Sequence, residues 1–133
     1  MDSAAIQDRL HRYFAEHGEG LAAAYLFGSV ARGTAHEASD VDVGVLFQDE
    51  PESVLASSTL QLEGALERLL GRRCDVVALN AAPVDLAIRV LRAGVLLLDR
   101  DRSARIRFEV RARNEFFDLE PHLKRYRGME SRT

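Results

Sequence analysis

The chain has 133 residues, 47% of them hydrophobic and 29% charged, a balance that fits one globular domain and excludes a disordered chain. A formal net charge of −3 argues against a general nucleic-acid binder, which carries a basic footprint. Cys74 is the sole cysteine, so no intrachain disulfide is possible. No apolar stretch resembles a signal peptide or is long enough to span a bilayer, and a cytoplasmic, reducing setting is expected.

The elements follow one another with clear boundaries. Asp2 or Ser3 can cap a first helix whose apolar positions Ile6, Leu10, Tyr13 and Phe14 recur at helical spacing. His17-Gly18-Glu19-Gly20 stops it, and Leu21 to Phe27 is an apolar run that predicts a buried strand ending at Gly28-Ser29. Val30 to Ala38 predicts a helical turn and a loop containing Gly33. Asp40 to Phe47 alternates like a strand, and Pro51 opens a helix carrying Val54, Leu55, Leu62, Leu66, Leu69 and Leu70, closed by Gly71. A third strand is expected at Cys74 to Leu79, with Cys74 as a small buried hydrophobe. Asn80 to Pro83 reads as a turn, and Val84 to Ala93 as a helix with Leu86, Val90 and Leu91 on its apolar side.

Val95 to Leu98 is the fourth strand. Asp99 to Phe117 predicts a charged helix with Ile106, Val110 and Phe117 along one stripe and Phe108 beside it. From Leu119 to Thr133 the chain is expected to be a flexible tail or a partner-binding segment. There are no repeats, linkers or low-complexity stretches. The whole reads as one α/β (α+β) domain, 1–133, with a mixed sheet of about four strands flanked by about five helices.

The chemistry concentrates in Gly28-Ser29-Val30-Ala31-Arg32-Gly33 and Ser39-Asp40-Val41-Asp42. Period two along a strand puts Asp40 and Asp42 on one face, about 7 Å apart at Cα, with Val41, Val43 and Val45 facing a core. Two carboxylates side by side repel, and hard cations relieve that repulsion; magnesium is the physiological candidate. Gly28 lets backbone approach a ligand, the Ser29 hydroxyl and nearby amides favour phosphate, and Arg32 adds a fixed cation with bidentate reach. Asp75, at the start of the third strand, is a candidate third acid, either as a metal ligand or as the acceptor of a proton from an attacking hydroxyl. Together these residues suit phosphoryl-type transfer.

Gly28-Ser29, ten intervening residues and Asp40-Val41-Asp42 resemble the signature of the DNA polymerase β-like nucleotidyltransferase superfamily. The fuller run through Val43-Gly44-Val45, with Asp75 to Asn80 and Asp118-Leu119-Glu120-Pro121, is similar to its small prokaryotic branch, the minimal nucleotidyltransferases or MntA-like antitoxins. The resemblance implies that the metal-binding aspartates fall on Asp40, Asp42 and Asp75, and nucleotide contacts on Gly28, Ser29 and Arg32. It also implies Mg2+ as cofactor, ATP as co-substrate and a HEPN-domain RNase toxin as partner, whose tyrosine receives AMP.

Blander readings stand beside these. Asp40 and Asp42 alone would be a solvated strand end, Gly28-Ser29 an ordinary strand–helix junction, and Arg32 and Asp75 surface charges. His36 and Glu37 read as loop residues, and His11, His17 and His122 as surface histidines. The arginine-rich helix from Arg100 to Arg113 reads as a solvated face. Two other functions remain open: nucleotidyl transfer to a small molecule or RNA, and a non-catalytic antitoxin that binds through Phe116 and Phe117.

Overall fold

The structure is a computed structural model that describes residues 1–36 and 38–130, with side chains described as far as Pro121. Helix α1 (Ser3–Glu16) starts where Asp2 accepts the amide of Ala5 at 2.8 Å, and it buries Ile6, Leu10 and Phe14. Strand β1 (Leu21–Phe27) follows, then the short helix α2 (Gly28–Arg32) and strand β2 (Val41–Phe47). Helix α3 (Glu52–Leu70) ends at Gly71 in the left-handed conformation. Strand β3 (Cys74–Ala78), a 3-10 turn at Leu79–Ala81, helix α4 (Val84–Ala93) and strand β4 (Val95–Asp99) come next. Helix α5 (Arg102–Glu130) completes the described chain, and no helix among the described residues is long and apolar enough to cross a membrane.

The sheet order is β3-β2-β1-β4, antiparallel on both sides of β1 and parallel between β2 and β3. Helices cover both faces. Ala24 and Leu26 of β1, with Val41, Val43 and Val45 of β2, pack against α1 and α3 through Ile6, Leu10, Phe14 and Leu66. Ala23, Tyr25 and Phe27 face the other way, against Val90 of α4 and Phe108 and Ala112 of α5. All seven residues of β1 are buried, which is why its sequence is a continuous apolar run and not an alternation.

The edge strand β3 is closed by side chains. Glu67 accepts the amide of Cys74 at 3.2 Å and Glu63 that of Val76 at 2.9 Å, so α3 caps amides that would otherwise template another strand. Cys74 is buried as expected, and burial, with Glu67 and Asp75 nearby, pushes its thiol up to about 12. Asn80 is more than a turn residue. Its side-chain amide accepts from the Phe47 amide at 2.8 Å and donates to the Phe47 carbonyl at 2.9 Å, extending the β2–β3 pairing by one step.

Helix α5 departs from the expected pattern in two ways. Its helical backbone continues past Phe117 and through Pro121 to Glu130, across the segment from Leu119 expected to be a flexible tail or a partner-binding segment; residues 131–133, and the side chain of His122, lie outside the described residues. Its packed line is Ala104, Phe108 and Ala112, while the expected stripe of Ile106, Val110 and Phe117 is 42%, 50% and 75% exposed. Polar anchors decide the orientation. Tyr25 donates to Glu109 at 2.6 Å, and Arg105 bridges Asp99 at 2.9 Å and Glu109 at 2.8 Å. Burial, then the bond to Glu109, raises the Tyr25 pKa, which keeps the hydroxyl a donor. Those bonds and the Phe108 ring sit on the same side of the helix, so the more apolar stripe faces outward.

This orientation has a measurable consequence. Phe108→Ala should destabilise the fold by about 3–5 kcal/mol, as for deletion of a buried ring, whereas Ile106→Ala should cost under about 1 kcal/mol. Urea denaturation of both variants checks it, and a larger loss for Ile106→Ala than for Phe108→Ala would mean that α5 packs by the other face.

Candidate active site

Three chain segments meet at one end of the sheet because of strand register. Phe27, the last residue of β1, pairs with Asp42, and Asp42 pairs with Asp75. Residues paired across strands share a face, so the Asp42 and Asp75 carboxylates stand on the same side, about 4.8 Å apart in strand spacing. That side is the α4 face, since Val41, Val43 and Val45 occupy the opposite one. Asp40 precedes β2 by one residue and is half-buried, so the strand begins later than the sequence suggests.

Asp42 is the middle carboxylate. Its pKa is raised, first by burial and then by repulsion from Asp75 and Asp40; Arg89 and Arg32 oppose the shift. The structure therefore brings Asp40, Asp42 and Asp75 within electrostatic reach and places Arg32 beside them. Arg32 lies in the last turn of α2, exposed and with no ion pair among the described residues.

Gly28 is required twice over at its position. Its φ is +74°, in the left-handed region, and a Cβ built there would land on Asp42 Oδ2 and lie 3.2 Å from Asp42 Cγ. The carboxylate thus occupies the space that any other residue's side chain would need. Ser29 follows in α2, half-exposed, and its hydroxyl makes no hydrogen bond among the described residues. Gly33, also left-handed at φ +74°, closes α2, and the Thr34 amide returns to the Ser29 carbonyl at 3.0 Å.

Among the described residues, no three or more His, Cys, Asp or Glu side chains are grouped tightly enough to hold a metal ion by themselves. A hard cation at these carboxylates would need the rest of its ligands from elsewhere, such as phosphate oxygens and water.

Sequence reasoning left out two arginines of this site. Arg89 projects from α4, which packs against α2, and its charge acts on Asp42. Arg72 donates to the carbonyls of His36 at 2.8 Å and Ser39 at 2.6 Å, in the loop that leads into Asp40. In a chain with 18 basic residues, neither carried a distinguishing spacing. The three described histidines have other roles: His11 meets the Leu97 carbonyl, His17 stacks on Tyr13, and His36 shapes its own turn.

Comparison with known proteins is consistent with this geometry. The family described as "Polymerase beta, Nucleotidyltransferase" matches residues 8–103. A curated relative from Thermococcus cleftensis, "Protein adenylyltransferase MntA", is 42% identical over 67 residues, 50% of this chain. That match spans 65% of the relative's length. Among solved structures, one described as a candidate minimal nucleotidyltransferase is 33% identical, covers 71% of this chain and 95% of its own, and has a TM-score of 0.60. A chain of a toxin–antitoxin structure with AMP-PNP superposes with a TM-score of 0.76 at 23% identity, covering 94% of this chain and 98% of its own. A chain from the tri-AMPylated Shewanella oneidensis HEPN toxin in complex with MNT antitoxin gives 0.71 at 19% identity, covering 97% and 98%.

Two outcomes follow from the packing at Asp42. Its pKa is raised in the folded state, so folding carries a penalty above that pKa that fades as pH falls towards the ordinary value of 3.8. In chelator-containing buffer, Asp42→Asn should therefore melt above the wild type near neutral pH, and the gap should shrink on acidification. A variant that melts at or below the wild type at neutral pH would contradict the crowding of these carboxylates. Gly28→Ala should cost at least about 1–2 kcal/mol for the left-handed backbone alone, read from its urea midpoint.

Proposed function

The chain belongs to the polymerase β-type nucleotidyltransferase family, and from that premise we propose that it is an antitoxin that transfers AMP from ATP, with Mg2+, onto a tyrosine of a HEPN-family RNase toxin and so neutralises it. The observation that carries the reading is the pair of Asp42 and Asp75 set by strand register, packed against the Gly28 turn, with Asp40 beside it and Arg32 and Arg89 flanking it. Acceptor and nucleotide are drawn from the likeness to the adenylyltransferase MntA and from the fold shared with the toxin–antitoxin structures.

Each residue has a role that its position supports. The Ser29 hydroxyl and the Arg32 guanidinium take the triphosphate beside the Gly28 turn, whose left-handed backbone leads β1 into α2 against the Asp42 carboxylate. Arg89 approaches Asp42 from α4 and offers a second guanidinium to the phosphates. Asp40, Asp42 and Asp75 supply oxygen ligands for Mg2+, which when bound neutralises charge on the transferring phosphoryl group. In the transfer, the tyrosine hydroxyl oxygen bonds to the α-phosphorus and the bond from that phosphorus to the bridging oxygen breaks. Pyrophosphate leaves with that oxygen. Asp75, half-exposed at the edge strand, either takes the hydroxyl proton or serves only as a ligand.

Intact mass spectrometry of the HEPN toxin, after incubation with this protein, ATP and Mg2+, tests the reading. AMP-sized increments are expected, and the Asp40→Asn/Asp42→Asn variant should give none. Binding of the toxin without any increment would leave stoichiometric neutralisation as the better account. Arg89→Ala and Arg32→Ala should each raise the KM for ATP about tenfold or more, the worth of one charge-assisted hydrogen bond to phosphate. An unchanged KM for Arg89→Ala would remove that residue from the nucleotide site.

A further inference from the structure

We propose that Arg72 is a positioning residue that holds the loop ahead of Asp40 so that Asp40 and Asp42 can share a divalent cation. The inference rests on the functional reading above in one respect, that these carboxylates are the cation's ligands.

Asp40 lies outside β2, which begins at Val41, so the sheet ladder does not fix its backbone directly. What precedes it is a tight turn closed on itself: the His36 amide meets Ser39 Oγ at 3.0 Å, the Ser39 amide meets the His36 carbonyl at 3.0 Å, and the Ala38 amide meets His36 Nδ1 at 3.2 Å. These bonds give the turn its shape but not its place in the fold. Placement comes from the start of β3. Arg72 Nη2 donates to the carbonyls of both His36 and Ser39, one at each end of the turn, and the next residue's carbonyl, that of Arg73, accepts the Val41 amide at 3.0 Å. The segment Arg72–Asp75 therefore brings one carboxylate to the site and sets the backbone that bears another.

Apolar packing on the core reaches this segment through Ala35, one residue ahead of the turn. On its outer side lies a cleft of about 430 Å3 between the first residues of the chain and Gly33, Ala35 and His36, with Arg72 in its wall. Arg72 Nε is buried and unpartnered among the described residues, so the side chain's polar contacts are those made by Nη2 to the turn. Hydrogen-bonded groups behind a metal ligand typically govern metal affinity by about 10–100-fold.

The charge of Arg72 makes the idea separable from simple electrostatics. A guanidinium near a cation site repels the cation, so if charge were its only effect, removing it would tighten binding. Loss of positioning weakens binding instead. The signs are opposite.

The test is a Mn2+ titration of the full chain with AMP-PNP present and toxin absent, followed by the water-proton relaxation enhancement of protein-bound Mn2+, with thermal melting to establish the folded fraction. Wild type, Arg72→Ala and Asp40→Asn/Asp42→Asn are compared. Arg72→Ala is expected to weaken Mn2+ binding about tenfold per folded molecule. An affinity equal to or tighter than the wild type's overturns the proposal. If Arg72→Ala does not fold, Arg72→Gln, neutral but still polar, decides by the same criterion. The aspartate double variant keeps the two readings apart: if wild-type binding survives it unchanged, the carboxylates are not the ligands and the assignment of Arg72 falls with them. If it abolishes binding while the Arg72 variants bind normally, only the inference about Arg72 fails.

Discussion

Mutual repulsion among Asp40, Asp42 and Asp75 is the constraint around which the rest of the fold is arranged. Burial of the Asp42 carboxylate is the first cost to the folded chain, and repulsion from Asp75 and Asp40 adds to it. Such a cluster persists only where the surrounding structure over-determines it. Here the surroundings are two helical layers clamped on a sheet whose central strand, β1, is buried along its whole length. Val41, Val43 and Val45 anchor β2 from behind, each fully buried, so the strand cannot slip to separate its aspartates without exposing that valine row.

The two arginines near Asp42 ease the repulsion but leave it incomplete: three carboxylates face two guanidinium groups. The remainder is what a divalent cation with its phosphate ligands can satisfy, and both Arg32 and Arg89 are without ion-pair partners among the described residues, available to a polyanion. Gly28 makes the arrangement possible at the steric level. Its absent side chain is the volume in which the Asp42 carboxylate sits, so the Gly28 turn and the acidic row interlock and are not merely adjacent.

Much of this was legible in the sequence, for identifiable reasons. The order of helices and strands followed from apolar periodicity and from glycine and proline punctuation, which are local signals. Gly28, Ser29, Asp40 and Asp42 were legible because their chemistry is tied to fixed short spacings. Arg72 and Arg89 were not, since an arginine that binds backbone carbonyls 33 and 36 residues away carries no mark of it in the sequence. Asn80 was hidden likewise: a turn-forming amide and one that imitates a strand residue look identical until Phe47 is placed opposite. The face of α5 was misjudged because apolar count alone favoured Ile106, Val110 and Phe117. Tyr25, Asp99, Glu109 and Arg105 together favoured the other side, and that network depends on Tyr25 of β1, 84 residues before Glu109.

The orientation of α5 bears on how so short a chain supports its site. Anchoring a charged helix through Arg105 and Glu109 leaves its small residues, Ala104 and Ala112, against the sheet, so the helix can approach closely around a single ring, Phe108. That close approach buries Tyr25 and Phe27 of β1, and Phe27 is the residue that pairs with Asp42 and immediately precedes Gly28. A helix turned to bury Ile106 and Val110 would gain apolar area but would have to carry Glu109 and Arg105 away from Tyr25 and Asp99. The burial of one or two aliphatic side chains, about 1.5–3 kcal/mol each, would then be set against an unpartnered buried hydroxyl and the loss of a bridged ion pair. The observed orientation keeps every one of those polar groups partnered and seals the face of β1 that leads into the Gly28 turn.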